Sequence, residues 1–367
     1  MKKKIGILTF QSSDNFGALL QAYGTFFTVR KLGYVPEIIN YHSPNKIKVY
    51  KLLDIDGKNS LKQNIIAVIN FPLKFDKWKK SSKFRKEVLL INDEPLKTFA
   101  DLAKKEKELA KIIVGSDQVW NYNNTNFDRR YFLDFVSNSE KKISYAASFA
   151  VSEIKAEFKE SYAELLSDFN HLSVRESVGQ KIIWELTQKE SVHTLDPTLL
   201  LSKEEWEEEV SDIKARRDRY LLLYAVGNDA HASKVAEKIS SEENLKIIKV
   251  ATIYKDYFSV GTTVNPEILE FVSLIKNSEY VVTSSFHGLA FAINLNKNFT
   301  CCLELEGGFN SRQTSFLEIT ELEERLCYSN EILVNQFNSP IDWKNVNAKL
   351  EVERNKSLEF LKKSLQD

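Results

Sequence analysis

The chain has 367 residues, long for one domain and comfortable for two. Hydrophobic residues make up 43% and charged residues 28%, as in a soluble globular protein, and Lys plus Arg balances Asp plus Glu at 51 each. A net charge of zero leaves no footprint for general nucleic-acid binding, and no apolar run approaches the roughly 18 residues of a membrane-spanning helix.

The start, Met1-Lys2-Lys3-Lys4, resembles the basic end of a signal peptide. The apolar stretch 5–10 contains Gly6 and Thr9, however, and runs into polar Gln11-Ser12-Ser13-Asp14-Asn15. That is too short for a leader, so a cytoplasmic protein is expected. Residues 4–9 read as a strand. Residues 18–32 have helical spacing and stop at Gly33, and residues 35–41 form the next strand. Residues 45–110 are less regular and lysine-rich, an expected insertion that is helical in pieces. Alternation resumes with strands at 111–114 and 142–148, a helix near 152–166, a strand at 171–174, a helix over 176–186 and a strand at 191–195. Asp196-Pro197 breaks the pattern. Ser202-Lys203-Glu204-Glu205 reads as a capping box that opens a charged segment reaching Arg219. A second alternation follows: strands at 220–226, 245–252, 280–283 and 299–303, with helices at 230–240, 266–276 and 288–295 between them. Residues 345–367 close the chain as a charged amphipathic helix.

Strands alternating with helices predict parallel sheets covered on both faces. The expected fold is α/β, two Rossmann-like domains facing a central cleft. The expected boundaries are 1–200, 201–344 and a final helix at 345–367. Cys301, Cys302 and Cys327 are odd in number and two are adjacent, so buried thiols are expected rather than a disulfide framework. No CxxC or HExxH is present, and no metal site is expected.

Several strand ends carry chemistry. Ser284-Ser285-Phe286-His287-Gly288 places a histidine after a buried strand and before a helix. Ligands of open α/β sheets bind at that edge, and helix N-termini favour anions. An imidazole of ordinary pKa near 6.5 suits acid–base work at neutral pH. Arg175 also follows a strand; it either grips a carboxylate or phosphate in bidentate fashion or pairs with Glu176. In Gly115-Ser116-Asp117-Gln118-Val119-Trp120, Asp117 either orients or deprotonates a hydroxyl or caps a turn. Trp120 either stacks on a sugar ring or lies in the core. Ser13, Asn15 and Gly17 open the first helix, as ligand contacts or as plain caps. The segment lacks GxGxxG and GxxxxGK[ST], so neither a dinucleotide fingerprint nor a P-loop is present. Arg312, after Glu306-Gly307-Gly308-Phe309-Asn310-Ser311, is a second anion candidate or a surface arginine. Lys74, Lys77, Lys79, Lys80, Lys83, Arg85 and Lys86 interleave with Phe75, Trp78 and Phe84, either touching an anionic membrane surface or forming a solvated face.

Taken together, these segments resemble the polysaccharide pyruvyl transferase family. The residues that carry the resemblance are Asn15-Phe16-Gly17-Ala18-Leu19-Leu20-Gln21-Ala22-Tyr23, Gly115-Ser116-Asp117-Gln118-Val119-Trp120 and Ser144-Tyr145-Ala146-Ala147-Ser148-Phe149. Ser173-Val174-Arg175-Glu176, Leu195-Asp196-Pro197-Thr198-Leu199-Leu200 and Ser284-Ser285-Phe286-His287-Gly288 complete the set in order. The resemblance implies paired Rossmann domains like those of inverting glycosyltransferases. It implies transfer of a pyruvyl group from phosphoenolpyruvate, as co-substrate and with no further cofactor, to a sugar of a capsule or exopolysaccharide or its lipid-linked precursor, closing a ketal across two hydroxyls. It also implies that His287 and Arg175 serve donor binding and catalysis. The alternatives are a sugar-nucleotide glycosyltransferase of the same architecture and a non-catalytic glycan-binding relative.

Overall fold

The computed structural model describes residues 2–44, 52–53, 60–227, 230–304, 311–328 and 339–366. In chain order the elements begin with β1 (Lys4–Leu8), α1 (Phe16–Lys31), β2 (Val35–Ile38), α2 (Leu61–Glu87), α3 (Phe99–Glu106), β3 (Lys111–Val114) and α4 (Tyr122–Thr125). Next come β4 (Lys142–Ser144), α5 (Ala156–Ser167), β5 (Ser173–Val174), α6 (Ser177–Thr187), β6 (Val192–His193), α7 (Lys203–Glu209), β7 (Tyr220–Tyr224) and α8 (Ala230–Glu243). The last are β8 (Lys246–Val250), β9 (Thr262–Val264), α9 (Ile268–Asn277), β10 (Tyr280–Thr283), α10 (Phe286–Asn294), β11 (Asn298–Leu303), α11 (Ser311–Thr320), β12 (Leu326–Tyr328) and α12 (Trp343–Gln366). They form two compact units. One comprises Met1–Tyr50, Lys83–Leu201 and Leu350–Asp367; the other comprises Lys51–Ser82 and Ser202–Lys349.

In the first unit the sheet order is β2-β1-β3-β4, all parallel. β5 and β6 pair in parallel, and single bridges join Ile143 to His171 and Ala147 to Val174. Lys111-Ile112-Ile113-Val114 is buried at every position, as parallel strands covered on both faces require. Trp120, Phe132, Phe149, Phe169 and Tyr162 pack in one core with Leu8, Ile112 and Val114. The strand order reverses between β1 and β3, so the loops leaving those two strands meet at a switch point. Thr9 Oγ1 there donates to Ser116 O at 3.2 Å.

The second unit has one parallel sheet of order β12-β11-β10-β7-β8-β9. Its order reverses between β7 and β10, which makes the ends of those two strands its switch point. Cys301 and Cys302 lie buried in β11 and Cys327 in β12, all as free thiols, as the sequence leads one to expect.

Several boundaries differ from expectation. β9 and β12 are three-residue edge strands with too little apolar pattern to be read from sequence. β4 stops at Ser144, and Ala146 follows with a left-handed φ of 47°. Within 45–110, residues 45–51 and 54–59 lie outside the described residues. The rest is helical in two pieces, as expected: one helix of 27 residues with Pro72 inside it, α2, and the shorter α3. Lys51–Ser82 also groups with the second unit rather than the first, and Leu350–Asp367 returns to the first.

Candidate active site

α10 starts where β10 ends, at the second unit's switch point. Ser285 is its N-cap: Gly288 N–H donates to Ser285 Oγ at 3.5 Å, and Ser285 N–H donates to Thr283 Oγ1 at 3.0 Å. Thr283 Oγ1 in turn donates to Tyr224 O at 2.7 Å. A Cβ on Gly288 would collide with Thr283 Oγ1 and press on Tyr224, so only glycine lets this turn lie so close to both strand ends. Across the switch point, Val226 N–H donates to Ser284 Oγ at 2.9 Å. Burial pushes the Tyr224 phenol up to about 12, against a smaller lowering by Ser285, so it stays neutral.

The helix begins two residues earlier than the sequence suggests, which puts His287 inside the first turn. The side chain is 7% exposed and its ring stands edge-on to Phe286, with centroids 5.3 Å apart. α11 brings two more groups here. Gln313 Nε2 donates to Ser284 O at 3.1 Å, and Arg312 Cζ lies 5.9 Å from the Phe286 ring centre. His287, Arg312 and the positive end of a helix therefore share one corner, and together they favour an anion. Of the glycine loop before Arg312, Glu306-Gly307-Gly308-Phe309-Asn310 lies outside the described residues.

The first unit's switch point holds a buried polar network. Gly115 has φ 113°, and a Cβ on it would collide with Tyr145 O. Asp117 takes a left-handed φ of 70°, a backbone state that non-glycine residues hold only when their surroundings fix it. Its Oδ1 accepts from Gln118 N–H at 2.8 Å, and the side chain is 16% exposed. Arg175 Nη1 donates to Asp196 Oδ2 at 2.7 Å and Nε to Glu176 Oε1 at 3.4 Å, while Nη2 lies 3.9 Å from Asp117 Oδ1. Ser116 Oγ also donates to Asp196, at 3.1 Å, and Ser116 N–H donates to Gln21 Oε1 at 3.1 Å. Burial alone would lower the Arg175 pKa, but Asp196, Glu176 and Asp117 outweigh it and raise it.

Two expected roles change with this geometry. Arg175 is not presented for a phosphate or carboxylate: its side chain is 2% exposed and meets three carboxylates. Trp120 does not face a sugar. It is fully buried, its Nε1–H donates to Tyr131 O at 3.0 Å, and it stacks on Phe132 with centroids 5.6 Å apart. Ser13, Asn15 and Gly17 act as a helix cap. Asn15 Oδ1 accepts from Gly17 N–H at 2.8 Å, and Ser13 Oγ accepts from Asn15 N–H at 3.3 Å. Sequence reasoning missed Ser116, Glu176, Asp196 and Gln313 as site residues. Their signal was present for the first three, which stand beside Asp117, beside Arg175 and before Pro197. Among the described residues no group of three His, Cys, Asp or Glu side chains is arranged to hold a metal ion.

A family model described as polysaccharide pyruvyl transferase matches residues 15–304. The chain belongs to that family. The match takes in the first-unit network and His287 alike. No curated protein matches the sequence at a significant level. Solved structures align with the chain at low identity. A Listeria monocytogenes protein provisionally assigned as a UDP-N-acetylglucosamine 2-epimerase aligns with TM-score 0.50 and 11% identity over 99% of this chain and 91% of its own. The UDP-GlcNAc 2-epimerase of Neisseria meningitidis aligns with TM-score 0.47 and 9% identity over 98% and 100%. The E. coli ADP-heptose LPS heptosyltransferase II gives TM-score 0.40 and 11% identity over 97% and 99%. The family member is thus an α/β protein of two Rossmann-like units, of the glycosyltransferase-B type.

Proposed function

We propose that this pyruvyl transferase moves the pyruvyl group of phosphoenolpyruvate onto a sugar of a cell-surface polysaccharide or its lipid-linked precursor. The observation that carries the reading is the position of His287, in the first turn of α10 at a switch point, within the span matched by the family. Phosphoenolpyruvate carries a phosphate and a carboxylate. The N-terminus of α10 and Arg312 supply positive potential for them. A sugar hydroxyl oxygen bonds to C2 while C3 takes a proton from His287 as imidazolium. The bond from C2 to the phosphate oxygen then breaks, phosphate leaving with its electron pair, and a second hydroxyl closes the ketal on C2 as its proton passes to His287. Asp117 is the group we assign to the acceptor's hydroxyl proton. Arg175 and Asp196 hold the loop that presents it and are positioning residues. Phosphoenolpyruvate is the co-substrate in this scheme and no other cofactor enters it. A cytoplasmic location belongs to the same proposal, because the donor is a cytoplasmic metabolite.

The test is phosphate release from phosphoenolpyruvate in the presence of candidate acceptor glycans, with the ketal read by mass spectrometry. Release should depend on the acceptor, and His287→Ala should lower turnover about 10²–10⁴-fold. A His287→Ala protein with undiminished ketal formation removes the histidine from the chemistry. Turnover of a nucleotide sugar in place of phosphoenolpyruvate gives the site to a glycosyltransferase.

A further inference from the structure

α2 faces the wrong way for a helix that meets only water. On its inner side Leu73 is buried, and polar contacts tie the helix to the rest of the second unit. Asn70 Oδ1 accepts from Tyr254 N–H at 2.8 Å, Asp76 Oδ2 accepts from Asn265 Nδ2 at 2.7 Å, and Lys77 Nζ donates to Thr252 O at 3.3 Å. Its outward side is apolar. Leu61, Ile65, Val68, Ile69 and Phe75 recur at helical spacing and are each between 45% and 78% exposed. Phe75 stacks on exposed Trp78, with centroids 5.8 Å apart. The turn at 254–258, held to Asn70 through Tyr254 N–H, carries a further exposed aromatic, Phe258, which is 80% exposed. Large apolar side chains gathered on one surface mark an interaction site.

The charge on the same helix says what fits. α2 carries seven lysines and Arg85 against Asp76 and Glu87, in a chain of zero net charge. Lys62, Lys74 and Lys79 are exposed around the apolar stripe, and Lys255 is exposed beside Phe258. Arg85 pairs with Asp14, Lys80 with Asp76, and Phe84 is buried, so the sequence's basic cluster is only partly available. No described helix is long and apolar enough to cross a membrane. An apolar stripe with aromatic side chains, rimmed by lysine, suits the headgroup layer of an anionic bilayer.

We propose that the outward face of α2 and Phe258 form an interfacial anchor that seats the second unit on an anionic lipid surface. The apolar side chains enter the acyl boundary, and Lys62, Lys74, Lys79 and Lys255 meet the lipid phosphates. This assignment is independent of the pyruvyl-transfer reading and is tested without an activity assay. The full chain is floated with vesicles of phosphatidylcholine alone or with phosphatidylglycerol mixed in. It should float with the anionic vesicles only, and less so as salt shortens the Debye length. Changing Lys62, Lys74 and Lys79 together to Gln should weaken binding about a hundredfold. Ile65→Asn with Val68→Asn and Phe258→Ser should abolish it while the circular dichroism spectrum and melting curve stay those of the parent. Failure to bind anionic vesicles, or equal binding by the apolar variant, overturns the assignment. So does a concentration-dependent dimer that the apolar variant dissolves, because the face then belongs to a second copy of the chain.

Discussion

Arg175 is one cation among three carboxylates in a place that water scarcely reaches. Its energetic role follows from that. Replacing it with Met keeps much of the volume but leaves Asp196 and Glu176 buried without the guanidinium. Breaking one side of a buried ion pair costs about 3–5 kcal/mol. Arg175→Met should therefore lower the urea midpoint of unfolding, and Arg175→Lys should restore only part of it, because an ammonium cannot reach Asp196 and Glu176 with a planar fork. An unchanged midpoint for Arg175→Met would show that the carboxylates do not need the guanidinium. In the proposed reaction Arg175 holds Asp117's loop and does not touch substrate, so both variants should lower kcat with little change in KM. The location of Arg175 was readable from the sequence, because a polar residue after an apolar strand lies at the sheet's ligand edge. Adjacent Glu176 was readable as a partner, and it does pair, at 3.4 Å; Asp196 was not. Asp196 approaches from a loop 21 residues on, and only the paired strands β5 and β6 bring the two together.

At the scale of elements, short turns are fixed by single side chains. Asp256 holds the turn that displays Phe258. Its Oδ2 accepts from Thr252 N–H at 2.6 Å and Ile253 N–H at 3.0 Å, and its Oδ1 lies 3.0 Å from Lys249 Nζ. Burial pushes the carboxyl pKa up, but those backbone hydrogen bonds and Lys249 outweigh it and hold it below the ordinary 3.8. A depressed carboxyl pKa contributes stability above the unfolded value, and that stability is lost as pH falls through the folded one. The difference in urea midpoint between the parent and Asp256→Asn should thus be constant above about pH 5 and shrink below about pH 4. A difference that stays flat to pH 3 would mean that the turn does not depend on the carboxylate's charge. The full length of α2 was harder to read, because lysines and Pro72 interrupt its apolar stripe and that stripe faces out instead of marking a core. β1, β3 and β10 by contrast are short, mostly apolar runs, buried at every position but Lys4, and their place in the sequence sufficed.

For the whole molecule, alternation of strands and helices carried the α/β class, whereas the assignment of segments to units depended on contacts distant in sequence. The last helix is the clearest case. Its charged amphipathic pattern was evident, but nothing in it tells which sheet it covers. The structure gives its later turns to the first unit. Lys111 Nζ, on β3, donates to Ser364 O at 2.8 Å, and Leu195 N–H donates to Ser357 Oγ at 2.9 Å. Arg354 Nε donates to Leu199 O at 2.8 Å, and Leu361 and Leu365 are fully buried. A helix that fills a core must be sensitive to loss of one side chain. Leu361→Ala should cost about 2–5 kcal/mol, through lost transfer energy and the cavity left behind. In a unit of this size that corresponds to a fall in Tm of roughly 2–4 °C per kcal/mol. Lys362→Ala, one position on and exposed, is the matched control and should shift the melting curve by less than about 0.5 kcal/mol. Equal curves for the two variants would mean that the C-terminal turns are not part of the first unit's core. A shift confined to Leu361→Ala would show that the end of the chain is needed to hold β3, and with it the loop that carries Asp117.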